Sequence, residues 1–132
     1  MIGLDTNILL RATLNDDPIQ SRAAQGLLKN LRDDERGFVN VPVLMEFFWV
    51  LRSRYKLPHA RLSAVMRDLL GVEYIEFEAL EVVGKALAVY ESGIADFADV
   101  VIALRNREFG AASTFTFDER AAKSVAGMKL LS

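Results

Sequence analysis

The sequence contains no cysteine. Disulfides, thiolate nucleophiles and zinc–thiolate sites are therefore excluded. It contains one histidine, His59, which puts a His-rich metal site and a triad with a His base out of reach. No window approaches the roughly 18 to 20 consecutive apolar residues of a membrane span. Met1 leads through Ile2-Gly3-Leu4 to Asp5 without the charged-then-apolar pattern of a secretory signal, so a cytoplasmic chain with no membrane partner is expected. A basic excess is missing too: 16 Lys and Arg face 18 Asp and Glu, for a net charge of −2. Nucleic-acid binders usually carry the opposite balance, so any basic surface has to be gathered locally.

What remains is a chain of 132 residues, 52% hydrophobic and 26% charged. That fits one globular domain over residues 1–132. With thiols absent and imidazole nearly so, the chemistry falls to carboxylates, hydroxyls, Lys and Arg. Carboxylates are hard oxygen ligands suited to Mg²⁺ or Mn²⁺.

The three prolines, Pro18, Pro42 and Pro58, each precede a helical pattern, and Pro is at home in a first helical turn. A short strand over residues 1–5 leads into a helix that Thr6 is placed to cap. Further helices are predicted from Pro18 to about Glu35, with Ala23, Leu27, Leu28 and Leu31 on one face, then over 42–55 and 58–70. Two more follow over 79–91, with Val82, Val83, Leu87 and Tyr90 on one face, and over 96–109. A last helix covers 118–125. Strands are predicted over 37–40, 73–77, 113–117 and 128–131. Alternating strands and helices imply a parallel sheet covered on both faces, with the ligand site beyond the carboxyl ends of the strands.

Several acids stand at such places. Asp5 ends the first strand in Leu4-Asp5-Thr6-Asn7, and Asp118 ends another in Thr116-Phe117-Asp118; each also suits a helix N-cap. Asp96 and Asp99, at i,i+3 spacing, share one face of a helix start, where acids suit the dipole and resemble a capping box. Glu46 is the only charge in Pro42-Val-Leu-Met-Glu-Phe-Phe-Trp-Val-Leu51. That helix reads as apolar all round and therefore buried, where a carboxylate is costly unless paired, for instance with an Arg, or bound to a metal. Two bare carboxylates about 4 Å apart repel by about 4 kcal/mol at an effective dielectric of 20. A convergence of these acids thus calls for a divalent cation or for bound protons. From the residues alone the reading stops at metal-dependent phosphoryl chemistry.

Leu4-Asp5-Thr6-Asn7-Ile8-Leu9-Leu10-Arg11, Asp16-Asp17-Pro18, Glu46 ahead of Trp49-Val50-Leu51, Asp96-Phe97-Ala98-Asp99-Val100-Val101-Ile102-Ala103 and Thr116-Phe117-Asp118 together resemble the PIN domains. More narrowly they resemble VapC-type toxins of bacterial toxin–antitoxin pairs. The resemblance implies an α/β fold, a three-layer α/β/α sandwich on a central parallel five-stranded sheet. It implies a Mg²⁺-dependent endoribonuclease, with Mn²⁺ as a possible substitute, that forms a homodimer and is inhibited by a cognate antitoxin. The family's acids fall on Asp5, Glu46, Asp99 and Asp118. Asp96 matches an additional acid, and Asn7 and Thr116 match supporting polar positions.

On that resemblance Asp5 and Asp99 hold the metal most directly, and Glu46 and Asp118 complete the set, with Glu46 a candidate proton acceptor. RNA would lie against basic side chains such as Arg11, Arg52, Arg54, Lys56, Arg105 and Arg120. The apolar stretch 57–70 suits a dimer or antitoxin contact and suits core packing equally. Rival readings are a phosphatase with a strand-end Asp nucleophile, whose second acid is here Asn7; a receiver domain, for which Asp16-Asp17 lie too far past the strand; and a PIN-like module that only binds its antitoxin.

Overall fold

A computed structural model describes residues 1–132. The elements run β1 (Ile2–Gly3), α1 (Thr6–Thr13), α2 (Pro18–Lys29), β2 (Gly37–Val39), α3 (Val41–Ser53), α4 (His59–Leu70), β3 (Ile75–Phe77), α5 (Leu80–Glu91), α6 (Phe97–Glu108), β4 (Thr114–Thr116), α7 (Glu119–Ser124) and β5 (Met128–Leu130). The chain divides into two compact units, Met1–Ala79 and Leu80–Ser132. No helix is long and apolar enough to cross a membrane.

In the first unit β1, β2 and β3 form a parallel sheet in that order, with Ile2 opposite Gly37 and Gly37 opposite Ile75. Helix α1 packs on α2 and α3, and α3 packs on α4. Phe47, Phe48 and Leu51 of α3 and Leu62 and Met66 of α4 are fully enclosed. Pro18 occupies the first turn of α2 and Pro42 that of α3, and side chains complete both starts. Asp17 accepts from the Gln20 N–H and Asn40 from the Val43 N–H. Pro58 is the N-cap of α4.

In the second unit β4 and β5 pair parallel, α7 packs on both, and α5 packs on α6. Val82, Val83, Leu87 and Tyr90 are buried along α5 as their spacing predicts. Gly93, at φ +80, follows that helix in the left-handed region that favours glycine. The Asn106 side-chain amide donates to Thr114 Oγ1 at 3.0 Å and ties α6 to β4.

The structure corrects four expectations. The strands do not form one five-stranded sheet: three pair in one sheet and two in another, all parallel. Strand β1 is two residues long, and the N–H groups of Ile2 and Leu4 are both directed at β2 residues or their neighbour Arg36, so only Gly3 has backbone groups facing the opposite edge. Helix α2 ends at Lys29, because Asn30 caps it and Arg32 and Glu35 then close a tight turn by exchanging backbone hydrogen bonds. Its buried face is centred on Ser21 and Ala24, not Ala23, because the Ser21 hydroxyl is satisfied by the Leu14 carbonyl at 2.9 Å. Thr6 does not cap α1; it is the first helical residue, and Asp5 holds the cap position.

Candidate active site

Asp5 is delivered by the end of β1. Hydrogen bonds from the Ile2 N–H to the Arg36 carbonyl (2.8 Å) and from the Leu4 N–H to the Phe38 carbonyl (2.9 Å) hold the strand. Leu4 turns into the core and the next residue, Asp5, is exposed. Asp5 has the extended backbone of an N-cap (φ −83, ψ 162), yet its side chain makes no capping hydrogen bond. The capping explanation for this acid therefore fails, and its carboxylate is left for other use. Thr6 beside it is 4% exposed, and its buried hydroxyl has no hydrogen-bond partner.

Glu46 corrects a further expectation. Helix α3 is not buried all round: Phe47 and Phe48 are enclosed, while Glu46 and Trp49 are exposed on the opposite side. An ionised Glu46 therefore keeps its hydration and needs no salt bridge to be tolerated.

These residues share a cleft of about 330 Å³. From α1 come Thr6, Asn7, Leu10 and Arg11, preceded by Asp5; from α3 and its end come Glu46, Trp49, Val50, Arg54 and Tyr55. Arg11 is held by Gln20 Oε1, to which its Nε donates at 2.8 Å, and by the Asp16 carboxylate at 3.3 Å. The Tyr55 hydroxyl donates to Asp16 at 2.8 Å. That hydrogen bond, with help from the Arg11 charge, holds the Asp16 carboxyl below its ordinary range against a smaller opposing effect of burial. A second cleft, of about 370 Å³, runs between α1, α2 and α4 and is lined mainly by aliphatic groups such as Leu9, Leu28, Ala64 and Val65. Along 57–70, core packing takes Leu62, Ser63, Met66 and Leu69.

The remaining predicted residues belong to the second unit. Asp96 is the N-cap of α6 and makes no side-chain cap hydrogen bond; Asp99 lies in the first turn. Both are half-buried. Asp118 does act as a cap: its Oδ1 accepts from the Ala121 N–H at 3.0 Å, while its own N–H donates to Thr116 Oγ1 at 3.0 Å. Thr116 thus orients the residue that carries the acid. Among the basic candidates, Arg11 and Arg54 line the cleft of the first unit. Arg52 stacks over the Phe48 ring (4.9 Å), and Arg105 pairs with Glu108 (3.1 Å).

The structure therefore gathers Asp5, Asn7 and Glu46 in one cleft of the first unit, and carries Asp96, Asp99, Thr116 and Asp118 on the second. Within neither unit do three or more carboxylates or histidines converge as a ready metal cluster. The donors in the cleft are nonetheless all oxygen: two exposed carboxylates, the Asn7 amide and a buried hydroxyl without a partner. That set fits a hard divalent cation and does not fit a soft one.

Residues 2–127 match the PIN domain family. The chain belongs to that family. PIN domains are generally nucleases that use divalent metal ions and act on nucleic acid. Comparison with curated proteins returns no match. For this PIN domain the sequence pointed to Asp5 and Glu46 but passed over Trp49, Tyr55 and the Thr6 hydroxyl. Trp49 was legible only as one more apolar residue of α3; its i,i+3 spacing from Glu46 was the signal that it shares the open face.

Proposed function

We propose that this PIN domain is a Mg²⁺-dependent endoribonuclease, working as a single domain over residues 1–132, and that it is the toxin of a toxin–antitoxin pair. The observation that carries the nuclease reading is Asp5: it stands at a helix start, makes no cap, and opens on the same cleft as Glu46. A carboxylate that makes no cap at that position is available for binding or chemistry.

Asp5 and Glu46, with Asp99 and Asp118 and the neighbouring Asp96, are the residues proposed to hold the cation. When bound, Mg²⁺ supplies charge neutralisation at a phosphodiester and a water acidic enough to attack it. Glu46 is exposed and can accept a proton from an attacking water. Asn7 offers its side-chain amide to the cleft, Thr116 orients Asp118, and Arg11 and Arg54 hold phosphates of the RNA. Mn²⁺ is the expected substitute. A cognate antitoxin and a second copy of the chain are the proposed protein partners; the motif order from Asp5 to Asp118 supports them by its resemblance to VapC-type toxins.

The test is cleavage of a mixed RNA substrate in Mg²⁺, in EDTA, and with Asp5→Asn or Asp99→Asn. Cleavage that needs the metal and is lost in both variants supports the reading. Cleavage that survives EDTA and both substitutions overturns it.

A further inference from the structure

Asp5 follows β1, and the Leu4 N–H beside it is bonded to the Phe38 carbonyl of β2 at 2.9 Å. Glu46 rides on α3. Between β2, which ends at Val39, and α3, which begins at Val41, lies the single residue Asn40. That junction decides the direction in which α3 leaves the sheet. Glu78, just past β3, grips it from both sides. Its N–H donates to the Val39 carbonyl at 3.0 Å, and its Oε1 accepts from the Val41 N–H at 2.8 Å. The first turn of α3 offers few other donors by which it could be held. Pro42 has no N–H, and the Val43 N–H is taken by the Asn40 side chain. Ala79, the next residue along, stands at φ +54, in the left-handed region that a non-glycine residue rarely enters. The fold thus carries backbone strain directly beside the residue that reaches α3.

We propose that Glu78 is a positioning residue for the cation site: it fixes the start of α3 and, through it, the placement of Glu46 relative to Asp5. The inference rests on the metal-dependent reading above. Glu46 lies about 7.5 Å along the helix axis from Val41, at about 1.5 Å per residue. A tilt of about 10° at the junction moves Glu46 by about 1 Å, and a misplacement of that size costs about 100-fold in a reacting geometry. The enclosed Phe47 and Phe48 keep the body of α3 on the core, whereas Glu46, on the exposed side, follows any roll or tilt of the helix. What the placement needs from Glu78 is an acceptor oxygen at full side-chain reach. Its charge, at the positive end of α3, adds stability without setting position. The link joins residues 37 positions apart, so no local pattern in the sequence announces it.

The experiment titrates the full chain with Mn²⁺ and follows Trp49, the only tryptophan. It stands one helical turn from Glu46 on the same cleft, where a bound Mn²⁺ ion quenches its emission. Two variants separate reach from charge. Glu78→Gln keeps the acceptor at the same reach and loses the charge; Glu78→Asp keeps the charge and falls one methylene short. Glu78→Gln is expected to bind Mn²⁺ within a few-fold of the parent chain, and Glu78→Asp about 10-fold or more weakly. Thermal melting fixes a temperature at which all three chains are folded. Binding by Glu78→Asp equal to that of the parent overturns the proposal; if that variant also melts lower, Glu78 has a structural role alone. Equal weakening in both variants overturns it too, because charge and not reach would then be the cause. If the parent binds Mn²⁺ and only the variants contradict, the inference alone fails. If the parent itself binds no Mn²⁺, the metal-dependent reading fails and the inference falls with it.

Discussion

The Tyr55 hydroxyl donates a 2.8 Å hydrogen bond to Asp16 Oδ2, joining residues 39 positions apart. It fastens the segment between α1 and α2 to the end of α3, and Arg11 completes the junction from α1. The junction stands beside the cleft, and its strength depends on the charge of one carboxylate.

That dependence gives a pH signature. The Tyr55 hydrogen bond, and after it the Arg11 charge, lower the Asp16 pKa in the folded protein. A carboxyl with a depressed folded pKa contributes stability that is present above its unfolded pKa and lost as pH falls through the folded one. Tyr55→Phe should therefore raise the Asp16 pKa, read from the side-chain carbonyl carbon by NMR. It should also destabilise the protein at neutral pH more than at acid pH. An Asp16 titration that does not move would dissolve the link between the two residues.

The caps separate structural acids from the one proposed for chemistry. Asp17→Ala and Asn40→Ala each remove a hydrogen bond at a helix start and should cost about 1 kcal/mol in urea unfolding. Asp5→Ala, at a start its side chain does not cap, should stay within about 0.5 kcal/mol while RNA cleavage falls about 100-fold or more. Asp118 does both jobs under the present reading. Asp118→Asn keeps a capping oxygen for the Ala121 N–H and should lose activity with little loss of stability; a variant that unfolds would contradict this.

Gly37 packs where a side chain has no room. A Cβ there would lie 2.8 Å from Leu4 Cδ1 and 3.1 Å from Leu31 Cδ1, and both leucines are buried. Gly37→Ala should cost about 1 to 3 kcal/mol. In the double variant with Leu4→Ala the two effects should fall short of their sum, because the shortened Leu4 vacates the contested space. Additive effects would place the strain elsewhere.

Metal binding has a readout apart from activity. Any ligand that binds only the folded chain stabilises it, by about 2.7 kcal/mol at 100 times its dissociation constant. Mg²⁺ or Mn²⁺ should therefore raise the melting temperature, and Asp5→Asn and Glu46→Gln should remove the rise. A rise unchanged in both variants would place the cation outside this cleft.

Much of the local structure was legible because it is encoded within a few residues. Pro18 and Pro42 mark helix starts through φ alone, and the buried face of α5 follows from the spacing of Val82, Val83, Leu87 and Tyr90. What escaped was decided at a distance. Ser21 joins the buried face of α2 only because the Leu14 carbonyl waits for its hydroxyl, and hydrophobicity alone assigns such a residue to solvent. The pairing of β4 with β5 alone depends on strand length and edges, which no single strand announces. Glu46 was found as an acid, but its setting was misjudged. Ten mostly apolar residues do not reveal which large side chains face outward, and Trp49 looks in sequence like Phe48.

Helix α3 carries Phe47 and Phe48 on its enclosed side and Glu46 and Trp49 on its open side. Successive residues of a helix are rotated by about 100°. Adding or deleting one residue within Val41–Ser53 would therefore swing a phenylalanine into water and drive a carboxylate inward. In this stretch the chain tolerates substitution but not a change of length, which would damage the fold and the cleft together. The turn at Arg32–Glu35, mostly exposed and closed by its own backbone and by surface ion pairs such as Arg32 with Asp34, is where length can vary with the least damage to either.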